Sequence, residues 1–294
     1  ATLYVTLEPC AHFGKTPPCT NAIIQAGVTR VVFSAHDPNP QARGGAEVLA
    51  VAGIEVKGDV EITYARSQNA PFFKRYERGG AFVALKLAMS LDARLNRTAN
   101  QRERVTGDQA EQEVHRLRSG FDAVMIGSNT ARVDDPLLTV RRGFMSIRPP
   151  VRVVIDTNGT LSSQSALLRS VDEAPLWVVA GADGETARLA DSGARVLTAP
   201  VVQGRIDLAA AVQALEAAGI SSILCEGGAV LGAGLLEAGL VDRIYAFVAP
   251  RLFGGCGTAA FPLKNPLTDP GWRLQRIAQH GEDALLMLDR CSPD

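Results

Sequence analysis

Apolar and polar positions along the chain fall into two alternating registers. Leu3-Tyr-Val-Thr-Leu7 and Arg30 to Ser34 are short β-rich runs, while Pro18 to Ala26 and Ala46 to Ala52 carry helical spacing and stop at Gly27 and Gly53. That strand–helix alternation predicts a parallel-type α/β sheet. A longer helical stretch runs from about Val60 to Tyr76 and ends in the charged cluster Lys74-Arg-Tyr-Glu-Arg78, followed by Gly79-Gly80. The break in pattern divides the chain into a first domain, 1–78, and a second, 79–294.

The second domain opens on an apolar strand, Phe82 to Met89, and alternates again. An amphipathic helix, Asp108 to Arg118, precedes the strand Ala123 to Ile126. Further strands are predicted at Val151 to Ile155, Leu176 to Val179, Ser222 to Cys225 and Arg243 to Val248, and a helix with Leu208, Val212 and Leu215 on one face lies before the third of these. Both domains therefore read as α/β, without internal repeats.

Composition narrows the function classes. Thirty basic and 31 acidic residues leave a formal charge of −1 over 294 residues, so no global field recruits nucleic acid or an anionic membrane, and any phosphate needs a local site. No run of 18 apolar residues and no signal-peptide pattern is present, which makes a cytoplasmic protein the default expectation. The first residue, Ala1, enters directly into a strand, from which the natural N-terminus is expected to lie upstream. Five scattered cysteines do not form a secreted disulfide pattern; only Cys10 and Cys19 are close enough to share a task.

Those two thiols lie at a strand end and in the first turn of a predicted helix, around a loop braced by Gly14, Pro17 and Pro18. A helix N-terminus favours the thiolate, and the spacing lets both sulfurs reach one zinc ion. The alternative is a buried cysteine pair beside a proline turn. Zinc deaminases of nucleobases need a third ligand and a proton-shuttling Glu, and neither precedes the loop in this sequence. The run Thr6-Leu-Glu-Pro-Cys10-x-His12-x-Gly14-x-Thr16-Pro-Pro-Cys19, with Asp37-Pro-Asn-Pro40 downstream, resembles the zinc loop of the bifunctional pyrimidine deaminase/reductase family of riboflavin biosynthesis. The resemblance implies that Cys10 and Cys19 are zinc ligands, that His12 is not, and that the His-Ala-Glu part of the site belongs to a preceding helix. His36, His115 and His280 carry no motif and are expected to be structural.

In the second domain the strand Ser222 to Cys225 delivers Glu226 to its end, and the following glycines let backbone amides approach a phosphate at the start of the helix Val230 to Ala238. Glycines at a helix-packing surface would look the same. The cluster Asp134-Asp-Pro136-x-Leu138-Thr-Val-Arg141 reads as a ligand-holding turn at a strand edge, or else as a solvated salt-bridged turn. These blocks, with Lys86-Leu-Ala88-Met-Ser90, Leu117-Arg118, Gly127-Ser-Asn-Thr130 and Asp156-Thr157, resemble the reductase domain of the same family, which is similar in fold to dihydrofolate reductase. The implied fold class is a partial cytidine-deaminase-like α/β domain followed by a dihydrofolate-reductase-like α/β domain.

The resemblance implies NADPH as cofactor, met by Lys86, Ala88, Thr130, Asp134, Thr157 and the loop carrying Gly228, Gly232 and Gly234. It implies a small pyrimidine phosphate, a phosphoribosylaminouracil, met by Arg118, Leu138, Arg141 and Glu226. Guanidinium groups suit a phosphate because they grip it by paired hydrogen bonds. Hydride transfer to the opened ribose C1 is the implied step, with Glu226 or Asp134 steering a proton. Members are usually homo-oligomers. The chain departs from the family pattern at Arg102, where a small Ser touches substrate, and at Arg104, where a Trp packs on the cofactor. Both arginines remain candidates for a phosphate or ribose. A nucleotide-binding pseudoenzyme, and a dihydrofolate-reductase-type enzyme with another pterin or pyrimidine substrate, are the competing functions.

Overall fold

The structure, a computed structural model, describes residues 1–264, 267 and 271–291. The chain divides into two units, Ala1–Gly80 and Ala81–Asp294. No helix among the described residues is long and apolar enough to cross a membrane.

The first unit runs β1 (Thr2–Leu7), α1 (Cys19–Gln25), β2 (Arg30–Ala35), α2 (Gly45–Val51), β3 (Glu55–Lys57), α3 (Ile62–Gln68) and α4 (Ala70–Glu77). Its three strands are parallel in the order β1-β2-β3, and Ile23, Val31, Leu49 and Ile54 form its buried core. The expected helix over 60–76 is two helices. Pro71 lies in the first turn of α4 and supplies no N–H, and Asn69 turns its amide back onto the carbonyl of Ala65 at 3.1 Å, ending α3.

The second unit contains β4 (Phe82–Ser90), α5 (Asp108–Ser119), β5 (Ala123–Gly127), α6 (Ser128–Asp134), β6 (Val151–Ile155), α7 (Ala166–Arg169), β7 (Leu176–Ala180), α8 (Ala187–Asp191), β8 (Arg195–Thr198), β9 (Val201–Val202), β10 (Arg205–Ile206), α9 (Leu208–Ala217), β11 (Ser222–Cys225), α10 (Ala229–Glu237), β12 (Arg243–Ala249), β13 (Trp272–His280) and β14 (Asp283–Arg290). Nine strands form one sheet in the order β13-β14-β12-β4-β11-β5-β6-β7-β8. From β12 to β8 every pair is parallel. The β13–β14 hairpin closes one edge in antiparallel fashion.

Side chains alternate across this sheet, so Met125 and Val153 join one buried cluster while Val124, Ile126 and Val154 join another. Burial on both faces is why β4, β5, β6 and β7 read as continuous apolar runs. Because the central strands are parallel, the carboxyl ends of β4, β11, β5 and β6 open on the same side, where ligands of α/β sheets bind.

Candidate active site

A cleft of about 660 Å³ lies at those carboxyl ends, lined by residues that include Gly127, Thr130, Asp134, Thr157, Gly228 and Leu231. The backbone N–H of Gly228, at the N-terminus of α10, donates to Thr130 Oγ1 at 2.9 Å. A side chain at Gly228 would put its Cβ 3.0 Å from that hydroxyl, and one at Gly227 would meet Leu231 at 2.7 Å. No acidic residue occupies the first turn of α10. The cleft thus presents a small-residue turn and a helix N-terminus whose free amides favour an anion. The later glycines have a different task. A Cβ at Gly232 would meet Leu85 at 3.1 Å and one at Gly234 would meet Leu208 at 2.9 Å, so both let α10 pack closely on its neighbours. Gly234 also borders the cleft.

At the ends of β4 and β11 a charged cluster forms. Arg118, from α5, grips Glu226 with Nε and Nη2 at 2.5 and 3.0 Å, and Lys86 Nζ stands 3.9 Å from the same carboxylate. These side chains are only 11%, 7% and 16% exposed. Burial alone would raise the Glu226 pKa, but the charge and hydrogen bonds of Arg118, with Lys86 beside it, hold it below the ordinary value. Lys86 is pushed down by burial, against the pull of Glu226. Ala88 lies two residues along β4, on the same face as Lys86.

Asp134 is the last residue of α6, and Asp135 caps that helix with φ +40°. The expected strand-edge turn is therefore a helix C-terminus, where the macrodipole disfavours a carboxylate. Burial raises the Asp134 pKa, against the charges of Arg102 and Lys86. Asp135 spends its carboxylate on the N–H of Ala166 at 2.7 Å.

Past the helix, Leu138 adopts φ +54° and is buried in the core with Val124 and Ile126. It can reach a ligand only through its backbone, since its side chain is in the core. The Arg141 N–H donates to His115 Nδ1 at 3.0 Å, and the exposed Arg141 guanidinium donates to Thr139 Oγ1 at 2.9 Å. His115, expected to be structural, is 2% exposed. Burial, with the charges of Arg118 and Arg141, lowers its pKa to about 4.

The two departures from the family pattern separate. Arg102 is exposed and acts electrostatically on Asp134. Arg104 turns to α5, pairing with Asp108 at 2.6 Å and Glu111 at 2.8 Å, and does not line the cleft. Thr157 follows β6 and lines the same cleft as Asp134.

In the first unit the sulfurs of Cys10 and Cys19 stand 3.4 Å apart, and the Cys19 N–H points at Cys10 Sγ at 3.3 Å. Glu8 shapes this loop. Its buried carboxylate accepts the N–H groups of Asp37, Gly44 and Ala46 and faces His36 Nδ1. Among the described residues, no third His, Cys, Asp or Glu completes a metal-binding group with the thiols.

Residues 81–286 match the RibD C-terminal domain, and residues 1–35 match the cytidine and deoxycytidylate deaminase zinc-binding region. The riboflavin biosynthesis protein RibD of Escherichia coli is 36% identical, over 98% of this chain and 82% of its own. That of Synechocystis is 38% identical, over 87% of this chain and 68% of its own. Among solved structures, Acinetobacter baumannii RibD superposes with a TM-score of 0.82 at 33% identity, covering 99% of this chain and 81% of that one. A diaminohydroxyphosphoribosylaminopyrimidine deaminase/5-amino-6-(5-phosphoribosylamino)uracil reductase from Thermotoga maritima gives 0.80 at 27% identity, over 98% and 79%. A deaminase-like α/β region followed by a dihydrofolate-reductase-like domain is the architecture of these neighbours, and the chain belongs to the RibD family of riboflavin biosynthesis.

Proposed function

We propose that the second unit is an NADPH-dependent reductase acting on 5-amino-6-(5-phosphoribosylamino)uracil, converting the ribosyl C1 to the ribityl level. The observation that carries this reading is the placement, past the carboxyl end of β11, of Glu226, gripped by Arg118 and 3.9 Å from Lys86, two residues before the glycine-framed N-terminus of α10 that borders the cleft. The cleft fits a dinucleotide: its free α10 amides and the Thr130–Gly228 contact suit a pyrophosphate, and no acid in that first turn repels it. When bound, NADPH supplies the hydride.

The remaining steps belong to this chain's residues. Arg118 and Lys86 keep Glu226 ionised, so Glu226 serves as a fixed acceptor for substrate hydroxyl or amine groups and not as the acid. Asp134, whose pKa burial raises, is the group suited to hold and deliver the proton. Arg141 is assigned to the substrate phosphate, with Arg102 adding positive charge beside Asp134. Leu138 contributes its backbone. Thr130, Thr157, Gly228 and the Lys86–Ala88 face are assigned to the cofactor.

For the first unit, Cys10 and Cys19 fit two corners of a tetrahedral zinc site. Two thiols do not complete one, and deamination requires a further ligand and a proton-carrying Glu besides them. Soluble homo-oligomers without nucleic-acid or membrane partners complete the reading. The test is loss of NADPH absorbance when the ribosylaminouracil phosphate is added, with the ribitylamino product identified. NADPH binding without oxidation would favour a pseudoenzyme, and turnover of dihydrofolate a different substrate class.

A further inference from the structure

Asp134, to which a reacting role is assigned, lines the cleft, and the β9–β10 hairpin contributes Arg205 and Ile206 to the same lining. Arg205 is the one cationic side chain among the described residues lining this cleft. It is exposed, and it has no hydrogen-bond or ion-pair partner among the described residues.

The hairpin holds Arg205 in a defined place. Gln203 and Gly204 both adopt left-handed φ, +52° and +74°, which makes the tight two-residue turn that matches strand twist. Arg205 pairs with Val202, and Ile206 is buried in the core. The hairpin base is tied by the Asp207 N–H to the Pro200 carbonyl at 2.8 Å. Val201 packs so closely on Gly181 that a Cβ there would lie 2.7 Å from Val201 Cγ2 and 3.2 Å from the Thr157 carbonyl. The hairpin therefore sits against the ends of β6 and β7, beside Thr157.

A dinucleotide pocket that selects the non-phosphorylated cofactor commonly offers an acid to the ribose hydroxyl. The acid at the end of β6, Asp156, is not available for that. It is 2% exposed, and its oxygens accept the Thr160 hydroxyl at 3.1 Å and the Leu161 N–H at 2.7 Å. What faces the cleft instead is the Thr157 position, with an unpaired guanidinium close by.

We infer that Arg205 is the cofactor-specificity residue of this cleft, the group that recognises the 2′-phosphate of the phosphorylated nicotinamide dinucleotide. The inference rests on the reading of the cleft as a dinucleotide site. With a pyrophosphate held at Gly228 and Thr130, the residues of the same cleft that would hold the adenosine half are Thr157, Ile206, Leu208 and Arg205. A guanidinium suits a phosphate dianion by paired, charge-assisted hydrogen bonds.

The experiment is a fluorescence titration of the intact chain with NADPH and with NADH, repeated on Arg205→Ala, Arg205→Lys and Arg132→Ala. Arg132 is the control, a neighbouring arginine already bonded to Asn129 Oδ1 at 2.5 Å. Loss of one charge-assisted contact predicts that Arg205→Ala weakens NADPH roughly tenfold or more and leaves NADH within about twofold. Arg205→Lys should recover part of the preference, and 2′-AMP should compete with the parent better than with Arg205→Ala. Unchanged NADPH affinity in Arg205→Ala, or loss of preference in Arg132→Ala instead, overturns the assignment of Arg205 while leaving the dinucleotide reading standing. Failure of the parent to bind either dinucleotide overturns both.

Discussion

Arg118 and Glu226, 108 positions apart, meet in a two-pronged ion pair at 2.5 and 3.0 Å, with neither side chain more than 11% exposed. Removing Glu226 strands Arg118 without its counter-ion, and removing Arg118 leaves Glu226 only the more distant Lys86, 3.9 Å away, in a site largely closed to solvent. Glu226→Gln or Arg118→Ala is expected to cost about 3–5 kcal/mol of stability and to depress turnover sharply. Thermal unfolding beside kcat/KM checks this. Arg118→Ala combined with Glu226→Leu should recover stability but not turnover; recovery of both would reduce the pair to a structural element.

Arg141 should behave differently, since its side chain is exposed and its fold contact is made by its backbone. Arg141→Lys keeps the charge and loses the fork, so substrate use should fall further than for an ordinary surface swap. Arg141→Ala is expected to cost about 2–4 kcal/mol in transition-state stabilisation, with NADPH affinity unchanged. Equal losses on both sides would move Arg141 to the cofactor.

His115 gives the second unit a pH signature. Its pKa is about 4 in the fold against 6.5 for the free side chain, so between those values the unfolded chain binds the extra proton. Stability contributed by keeping His115 neutral is complete above pH 6.5 and declines as pH falls toward 4. Glu226 acts from the acid end of that window downward, because its contribution is complete above the ordinary carboxyl value of 4.5 and is lost as pH falls through its lowered pKa. His115→Gln should flatten the stability slope between pH 6.5 and 4. Denaturant unfolding at a series of pH values reads this, and an unchanged slope would assign it elsewhere.

Gly228 tests the cofactor end directly. Any Cβ there lies 3.0 Å from Thr130 Oγ1, so Gly228→Val must displace the hydroxyl and fill the approach to the α10 amides. NADPH binding should weaken by roughly tenfold or more with little change in folding. Thermal unfolding without cofactor separates this from a packing defect.

Much of this arrangement was legible in the sequence because β4, β5, β6 and β11 are buried on both faces, and burial writes apolar runs that local spacing reveals. Glu226 was legible as an acid at a strand end. Its grip on Arg118 was not, because nothing local records a contact across 108 residues. The three-residue β3 and the short β9 and β10 are below the length at which a pattern forms. In the edge strand β13, Arg273, Leu274, Arg276 and Ile277 are exposed, and a register shift between Leu274 and Arg276 breaks the alternation. The Asp134–Asp135 pair read as a turn because α6 is only seven residues long and begins Ser128-Asn129, so its helical periodicity never completes two turns. Arg205 carried no motif; only the fold brings it to the cleft.

The most direct test of the account is a stoichiometric assay with purified chain, NADPH and 5-amino-6-(5-phosphoribosylamino)uracil, following NADPH loss beside formation of the ribitylamino product. One product is expected per NADPH consumed, with Asp134→Asn retaining NADPH binding but losing about two orders of magnitude or more in turnover, as removal of a general acid does. NADPH that binds but is never oxidised by this substrate would contradict the account, as would undiminished turnover in Asp134→Asn for the assignment of the proton.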